Sequence, residues 1–418
     1  MALVSASEVF WVPDNNFVGV AGAHRILGQI KPQTRRLVAP LTALGTDGAL
    51  ALFRGLPALR QRYSADPDGP LWGITEFNLV RNSIGDAGLL AALKYAGKDS
   101  AVRTLLLHGN EIALAGEGVA QTAALLLNKS RLAQLGLTDL PLDPAAVSSL
   151  FGALNAQHLH TLHLSTCDIP SGCAAAIADY VRSPRSRGLK VLELNENRLG
   201  RRGVSLILDA VEAANFSLLH IGLMFNDRRR RRRRPRRFPA SPTDSSDESD
   251  SDDHLDNSSL AHQLDKRVPA LQFRNEALTA RVRRAASRAI APARIILCAR
   301  SPTATETAAR VMHEASRDTS PVVPFALLDL PAEVQVLIAR HCSRDAAALS
   351  EAQWTRLRLL AADPGDLRNA ARKMRAACAD VQLGKATRAQ RRERLREVRD
   401  EWLVTGGWEC WELNRPQA

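Results

Sequence analysis

The sequence predicts an α/β solenoid: a row of short parallel strands, each followed by an outer helix, with a small all-α module after it. Three observations carry that expectation. A frame of apolar residues, Asn and Gly recurs through the first half of the chain. Within each copy the apolar spacing changes from alternation to a helical period. The recurrence then stops at a run of arginines followed by acids and serines.

Residues 189–203, LKVLELNENRLGRRG, define the frame, with Leu189, Leu192 and Leu194, then Asn197, Leu199, Gly200 and Gly203. It recurs at Ile74, Phe77, Leu79, Asn82, Ile84, Gly85 and Gly88, and at Val102, Leu105, Leu107, Asn110, Ile112 and Gly116. Further copies start at Leu132 (Leu140 in place of Asn), at Leu159 (Cys167 in place of Asn) and at Leu218, with Ile221, Leu223 and Asn226. Two weaker copies precede these: Glu8, Trp11, Asn16, Val18, Gly19 and Gly22, then Thr34, Leu37, Thr42, Leu44, Gly45 and Gly48. Apart from the step from 34 to 74, the starts lie 26 to 30 residues apart.

Chemistry explains the frame. Leu-x-Leu is a strand whose alternate side chains enter one core. The Asn can bond backbone groups left open where the chain turns away, with Cys or Thr as weaker substitutes. Gly-x-x-Gly turns the chain into helices expected at 86–96 and 203–214. One strand and one helix cannot bury both apolar faces, so neighbouring copies must stack. Over residues 8–227 this pattern resembles the ribonuclease-inhibitor-like class of leucine-rich-repeat proteins, which implies a horseshoe that binds protein ligands on its concave face. From the frame, that face carries Glu76, Asn78, Arg81, His108, Asp139, His163, Glu193, Glu196, Met224 and Phe225, with Gly136 and Gly222 leaving flat stretches.

After Asp227 the chain reads RRRRRRRPRRFPASPTDSSDESDSDD. Blocks of like charge without apolar residues cannot offset ordering entropy, so 228–262 is expected to be a disordered insertion. Arg228, Arg229, Arg230, Arg231, Arg232, Arg233, Arg234, Arg236 and Arg237 form a candidate ligand for a nuclear import receptor. They also suit nonspecific contact with nucleic acid. Ser245 and Ser249, each with an acid three residues on, suit an acid-directed kinase. Residues 263–300 are expected to complete the last repeat, with a helix at 275–290 and a closing strand at 293–299 behind Pro292. Residues 301–324 read as a linker.

Residues 325–403 read as helical, with a capping box at Ser350 and Gln353 and helices at 366–380 and 386–403. Leu330, Pro331, Val334, Leu337 and Ile338 resemble the opening of an F-box. That resemblance implies docking on the Skp adaptor of a cullin ubiquitin ligase, with Val334, Leu337, Ile338 and His341 on one helix face. Residues 404–418 read as a tail.

Composition narrows the function classes. The six cysteines form no CxxC pair, which suits free thiols in an intracellular setting, cytoplasmic or nuclear. No leader and no membrane-length apolar run is visible, and no membrane partner is expected. Residues 1–227 hold 20 Lys/Arg against 19 Asp/Glu, whereas 260–418 hold 27 against 18, so polyanion contacts are expected in the second half. His158, His160, His163 and Cys167 do not converge as metal ligands, and the Gly-rich segments are repeat turns. No catalytic residue, cofactor or metal site is nominated. The expected function is a protein-binding scaffold, as substrate receptor of a Skp-cullin-F-box ligase. The alternatives are a Ran-type GTPase-activating protein using Arg81 or Arg198, and a scaffold with no ubiquitin role.

Overall fold

The computed structural model describes residues 8–11, 17–64, 72–226, 257–298, 332–382 and 387–412. Asn16, the arginine run 228–237, Ser245, Ser249, the linker 301–324, Leu330 and Pro331 lie outside them. The chain divides into two compact units, Met1–Phe273 and Arg274–Ala418.

In the first unit, strands and helices alternate. They are β1 (Val9–Trp11), α1 (Gly19–Gln29), β2 (Arg36–Val38), α2 (Gly45–Tyr63), β3 (Glu76–Asn78), α3 (Asp86–Lys98), β4 (Thr104–Leu106) and α4 (Val119–Lys129). There follow β5 (Gln134–Gly136), α5 (Pro144–Ala153), β6 (Thr161–His163), α6 (Ala174–Arg182), β7 (Val191–Glu193), α7 (Gly200–Ala214) and β8 (His220–Gly222). The strands pair in sequence order, all parallel, as one eight-stranded sheet. This is a solenoid-like α/β architecture. Its core lies between the sheet and the helices: the central residue of β2 to β8 is buried in each case, as Leu37, Phe77, Leu105, Leu135, Leu162, Leu192 and Ile221. Helices answer with stripes at helical spacing, such as Val204, Ile207, Leu208 and Val211 of α7.

In the first copy Gly19 keeps its expected place at the helix start, but the strand centre is displaced by one residue. Phe10, not Trp11, pairs with Leu37 and packs on the core, while Trp11 is 63% exposed. A slip of one residue exchanges the two faces of a strand.

The Asn position stitches each repeat to the one before it. Asn197 Oδ1 accepts from the Cys167 and Ile169 amides at 2.9 and 3.1 Å. Its Nδ2 donates to the Leu164 and Leu194 carbonyls at 2.8 and 2.9 Å. Asn82 and Asn110 bond in the same way. At the same position the Cys167 thiol contacts the Leu137 and Ser165 carbonyls.

The residue before the ladder is left-handed in repeat after repeat, including Arg81 (φ 53°), Asp139 (60°), Glu196 (56°) and Phe225 (60°). Its amide bonds the next repeat, as Arg81 does to His108 O at 2.8 Å and Glu196 to Met224 O at 2.8 Å. In the Gly-x-x-Gly segment, Gly45 and Gly200 turn the chain at φ 65° and 66°. The second glycine permits close packing, since a Cβ at Gly88 would stand 2.5 Å from Ile84 Cγ2 and 3.2 Å from Ala49 Cβ.

The last repeat departs from expectation. One helix, α8 (Asn257–Cys298), replaces the expected helix at 275–290 and the strand at 293–299. It begins inside the segment expected to be disordered up to 262. Residues 257–273 belong to the first unit, where Leu264, Val268 and Leu271 complete the core and Arg267 bridges Asp209 and Glu212 of α7 at 2.6 and 2.7 Å. The β-branched run behind Pro292 does not form a strand, because Val282, Ala285, Ala286, Ala289 and Ala293 make one buried helical stripe through the proline.

In the second unit this stripe packs with α9 (Ala332–Cys342), α10 (Glu351–Ala362) and α12 (Arg388–Thr405); α11 (Pro364–Gln382) lies between the last two in sequence. Arg281 pairs with Asp345, Arg283 with Asp400 and Arg294 with Asp366. The capping box at Ser350 and Gln353 forms as expected. The segment read as a tail does not behave as one. Trp408 is fully buried, Gln353 Nε2 donates to Cys410 O at 2.9 Å, and Glu412 accepts from Ser350 Oγ and pairs with Arg356, both at 2.8 Å. Two isolated tryptophans among polar residues carry no helical or strand period, so only packing reveals their role.

Candidate interaction face

The strand side of the sheet away from the helices presents the residues flanking each buried central position. Glu76, Asn78, His108, His163 and Glu193 are half-buried, and Arg81, Asp139, Glu196, Met224 and Phe225 are exposed. All ten expected face residues therefore reach this surface or its rim. Glu76 is bound in a two-point ion pair with Arg36, at 2.6 and 2.8 Å. The Arg81 side chain lies over Gly109, and Arg198 lies 3.4 Å from Asp168.

The glycines do not leave flat stretches, contrary to expectation. The His108 ring lies over Gly136, where a Cβ would meet its Cε1 at 2.4 Å, and Glu193 lies over Gly222, where a Cβ would meet Oε2 at 1.9 Å. Missing side chains in one repeat are filled by long ones from the repeat before.

The result is a polar string across β5 to β8. Gln134 Nε2 lies 3.3 Å from His163 Nε2, and the His108 and His163 rings meet edge to face at 6.1 Å. His220 Nε2 lies 2.7 Å from Glu193 Oε1, and Gln272 of α8 reaches His220 Nδ1 at 3.2 Å. Asn195 Nδ2 donates to Glu193 Oε2 at 2.6 Å, and His108 Nδ1 accepts from the Thr138 amide at 3.1 Å. Burial, then the neighbouring His163, lowers the His108 pKa below the usual histidine value. Burial also lowers that of His163, with Glu193 opposing and His220 adding to the effect. These two rings are therefore neutral hydrogen-bonding groups near pH 7. Gln134, Asn195, His220 and Gln272 were not singled out from sequence. Gln134 and His220 lie at strand positions the frame could have supplied, whereas Gln272 comes from a helix the frame did not place.

Cys167, beside this face in sequence, is fully buried and its thiol is pushed up to about 12 by that burial. It is inert as a nucleophile. Among the described residues no group of three or more His, Cys, Asp or Glu could hold a metal ion. No described helix is long and apolar enough to cross a membrane.

The expected adaptor stripe divides in two. Ile338 packs against the second unit's core, alongside buried Gln335 and Ala339, while Val334 and Leu337 are 38% and 53% exposed. The buried face of α9 is thus rotated from the expected one.

A repeating strand–helix unit with an open polar strand face defines the class: an α/β, solenoid-like protein. No protein-family model matches the chain. It is similar to NACHT, LRR and PYD domains-containing protein 5 of Mus musculus, 27% identical over 153 residues, and to that of Homo sapiens, 28% identical over 153 residues. Each match covers 36% of this chain, and 13% and 12% of those proteins. NACHT, LRR and PYD domains-containing protein 3 of Bos taurus is 28% identical over 158 residues, covering 37% of this chain and 15% of that one. The chain thus spans a small part of the length of the curated relatives it matches.

Proposed function

We propose that this chain is a protein-binding scaffold, in which residues 8–226 form a leucine-rich-repeat solenoid of the ribonuclease-inhibitor-like kind and hold a protein ligand on the strand face. The string Gln134, His163, Glu193 and His220 carries this reading. It offers fixed donors and acceptors beside exposed Met224 and Phe225, the mixture of polar and apolar groups typical of protein interfaces. Relatives whose names include LRR support it. The test compares proteins retained by the full chain with those retained by a His163→Ala, Glu193→Ala double variant and by Arg202→Glu at the start of α7. Loss of a retained protein with the strand-face variant alone is expected. Retention of everything by that variant overturns the reading.

In the second unit, exposed Val334 and Leu337 support adaptor docking as a narrower proposal. Leu337→Arg should then abolish retention of a Skp adaptor with little change in thermal stability. If the intact chain retains no Skp adaptor, the ubiquitin-ligase reading fails and the scaffold reading stands.

A further inference from the structure

The near-zero net charge of residues 1–227, 20 Lys/Arg against 19 Asp/Glu, conceals two edges of opposite sign. Connections that lead from helices into strands, at 30–35, 99–103, 130–133, 154–160, 183–190 and 215–219, carry Lys31, Arg35, Arg103, Arg131, Arg185, Arg187 and Lys190. Among the described residues of these connections the one carboxylate is Asp99, which is buried and already bound by Arg60 and the Tyr95 hydroxyl; the α2–β3 connection, whose residues 65–71 lie outside the described ones, adds Asp66 and Asp68 in sequence. Connections that leave the strands, at 39–44, 79–85, 107–118, 137–143, 164–173, 194–199 and 223–226, carry six acids, such as Glu111, Asp139 and Glu196, against Arg81 and Arg198.

Helix dipoles favour basic groups at helix C-termini, and this accounts for Lys98, Lys129 and Arg182 in last turns. Arg185 similarly donates to the last carbonyls of α5, at Phe151, Gly152 and Leu154. Dipoles do not account for Arg103 and Arg131, which lie beyond the helices and close to the strands. Arg103 is exposed, and its guanidinium donates to the Ser100 and Val102 carbonyls. Burial, then the adjacent Arg131 charge, lowers its pKa. At His158 burial, then Arg131 and Arg103, act in the same direction. Like charges are therefore crowded at β4 to β6, with at least one guanidinium already oriented by backbone.

We propose that this strand-start edge is a docking strip for an extended, acidic protein segment, paired chiefly by Arg103 and Arg131. Spacing supports a peptide. The strip lies between the strand layer, stacked about 4.8 Å apart, and the helix layer, about 8–10 Å apart. Alternate residues of an extended chain recur at about 6.8 Å, between those limits. Among the described residues of these connections and of the α2–β3 connection the only aromatics other than histidine are Trp72, which is buried, and Phe216, so the described residues offer no row of base-stacking platforms of the kind single-stranded nucleic acid uses. At physiological salt the field of the acidic edge decays within about 8 Å, leaving the strip's own charge to act.

The experiment uses the full chain and a fluorescent ten-residue peptide of alternating Asp and Ser, followed by anisotropy at roughly 50 mM and 300 mM salt. Binding that weakens with salt is expected, with no binding of the Asn and Ser counterpart. Arg131→Glu, at an exposed side chain, should weaken it about threefold, and adding Arg103→Gln should bring the loss to about tenfold with an unchanged thermal melt. Arg392→Glu with Arg396→Glu, on α12 in the more basic second half, should leave affinity intact. Wild-type affinity in the Arg103, Arg131 variant, or a loss that follows the α12 variant, would overturn the proposal. Tighter binding of an oligouridylate of equal charge through the same arginines would also overturn it, in favour of phosphate recognition.

Discussion

Replacing Asn197 with alanine should remove far more stability than a polar deletion at the half-buried strand face. Its amide satisfies two N–H groups, of Cys167 and Ile169, and two carbonyls, of Leu164 and Leu194, all within 3.1 Å. The residue is 2% exposed, so water has little access to the groups left behind. Each stranded buried group costs about 1–3 kcal/mol, and allowing for partial rearrangement the loss should be about 3–6 kcal/mol. That is a large share of the roughly 5–15 kcal/mol by which a domain is stable. Urea unfolding followed by far-ultraviolet circular dichroism measures it, with Asn195→Ala as the internal control. Asn195 also makes several bonds, to Glu193, Met224 and Ser165, but at the half-buried surface, where about 1 kcal/mol is expected. A loss below about 1 kcal/mol for Asn197→Ala, or equal losses at the two positions, would refute the claim that the ladder holds neighbouring repeats together.

Three further outcomes are expected. Leu192→Asp places a carboxylate at a fully buried strand centre; it forfeits about 1.5–3 kcal/mol of burial before any cost of the charge, so the melt of the first unit should collapse. Lowering pH from about 7.5 to 5.5 should destabilise the first unit, because the depressed folded pKa values of His108 and His163 let the unfolded chain take up protons first, below about 6.5; a His108→Gln, His163→Gln variant should show a flatter dependence of melting temperature on pH. Trp408→Ala should cost the second unit about 3–5 kcal/mol in a calorimetric melt, since that ring is fully buried in the unit's core beside Trp402, and a shift of under a degree would restore its reading as a tail.

The sequence by itself determined the repeat. Leu192, Asn197, Gly200 and their counterparts recur because each copy meets the same local demands: a core-facing strand centre, a polar bridge and a left-handed turn. Those demands act within about fifteen residues, so spacing alone exposes them, and the helix of each repeat follows from the same frame. Tertiary structure decided where the pattern weakens. Phe10 rather than Trp11 faces inward because the register is set by pairing with β2, not by the strand's own residues. Residues 293–298 stay helical because Val282, Ala286, Ala289 and Ala293 already commit that face to a core assembled from distant helices. The strand-face string likewise depends on side chains from different repeats. His108 covers Gly136 of the next repeat, and His220 meets both Glu193 and Gln272. Such contacts are fixed by the stacking distance between repeats, which local sequence does not encode.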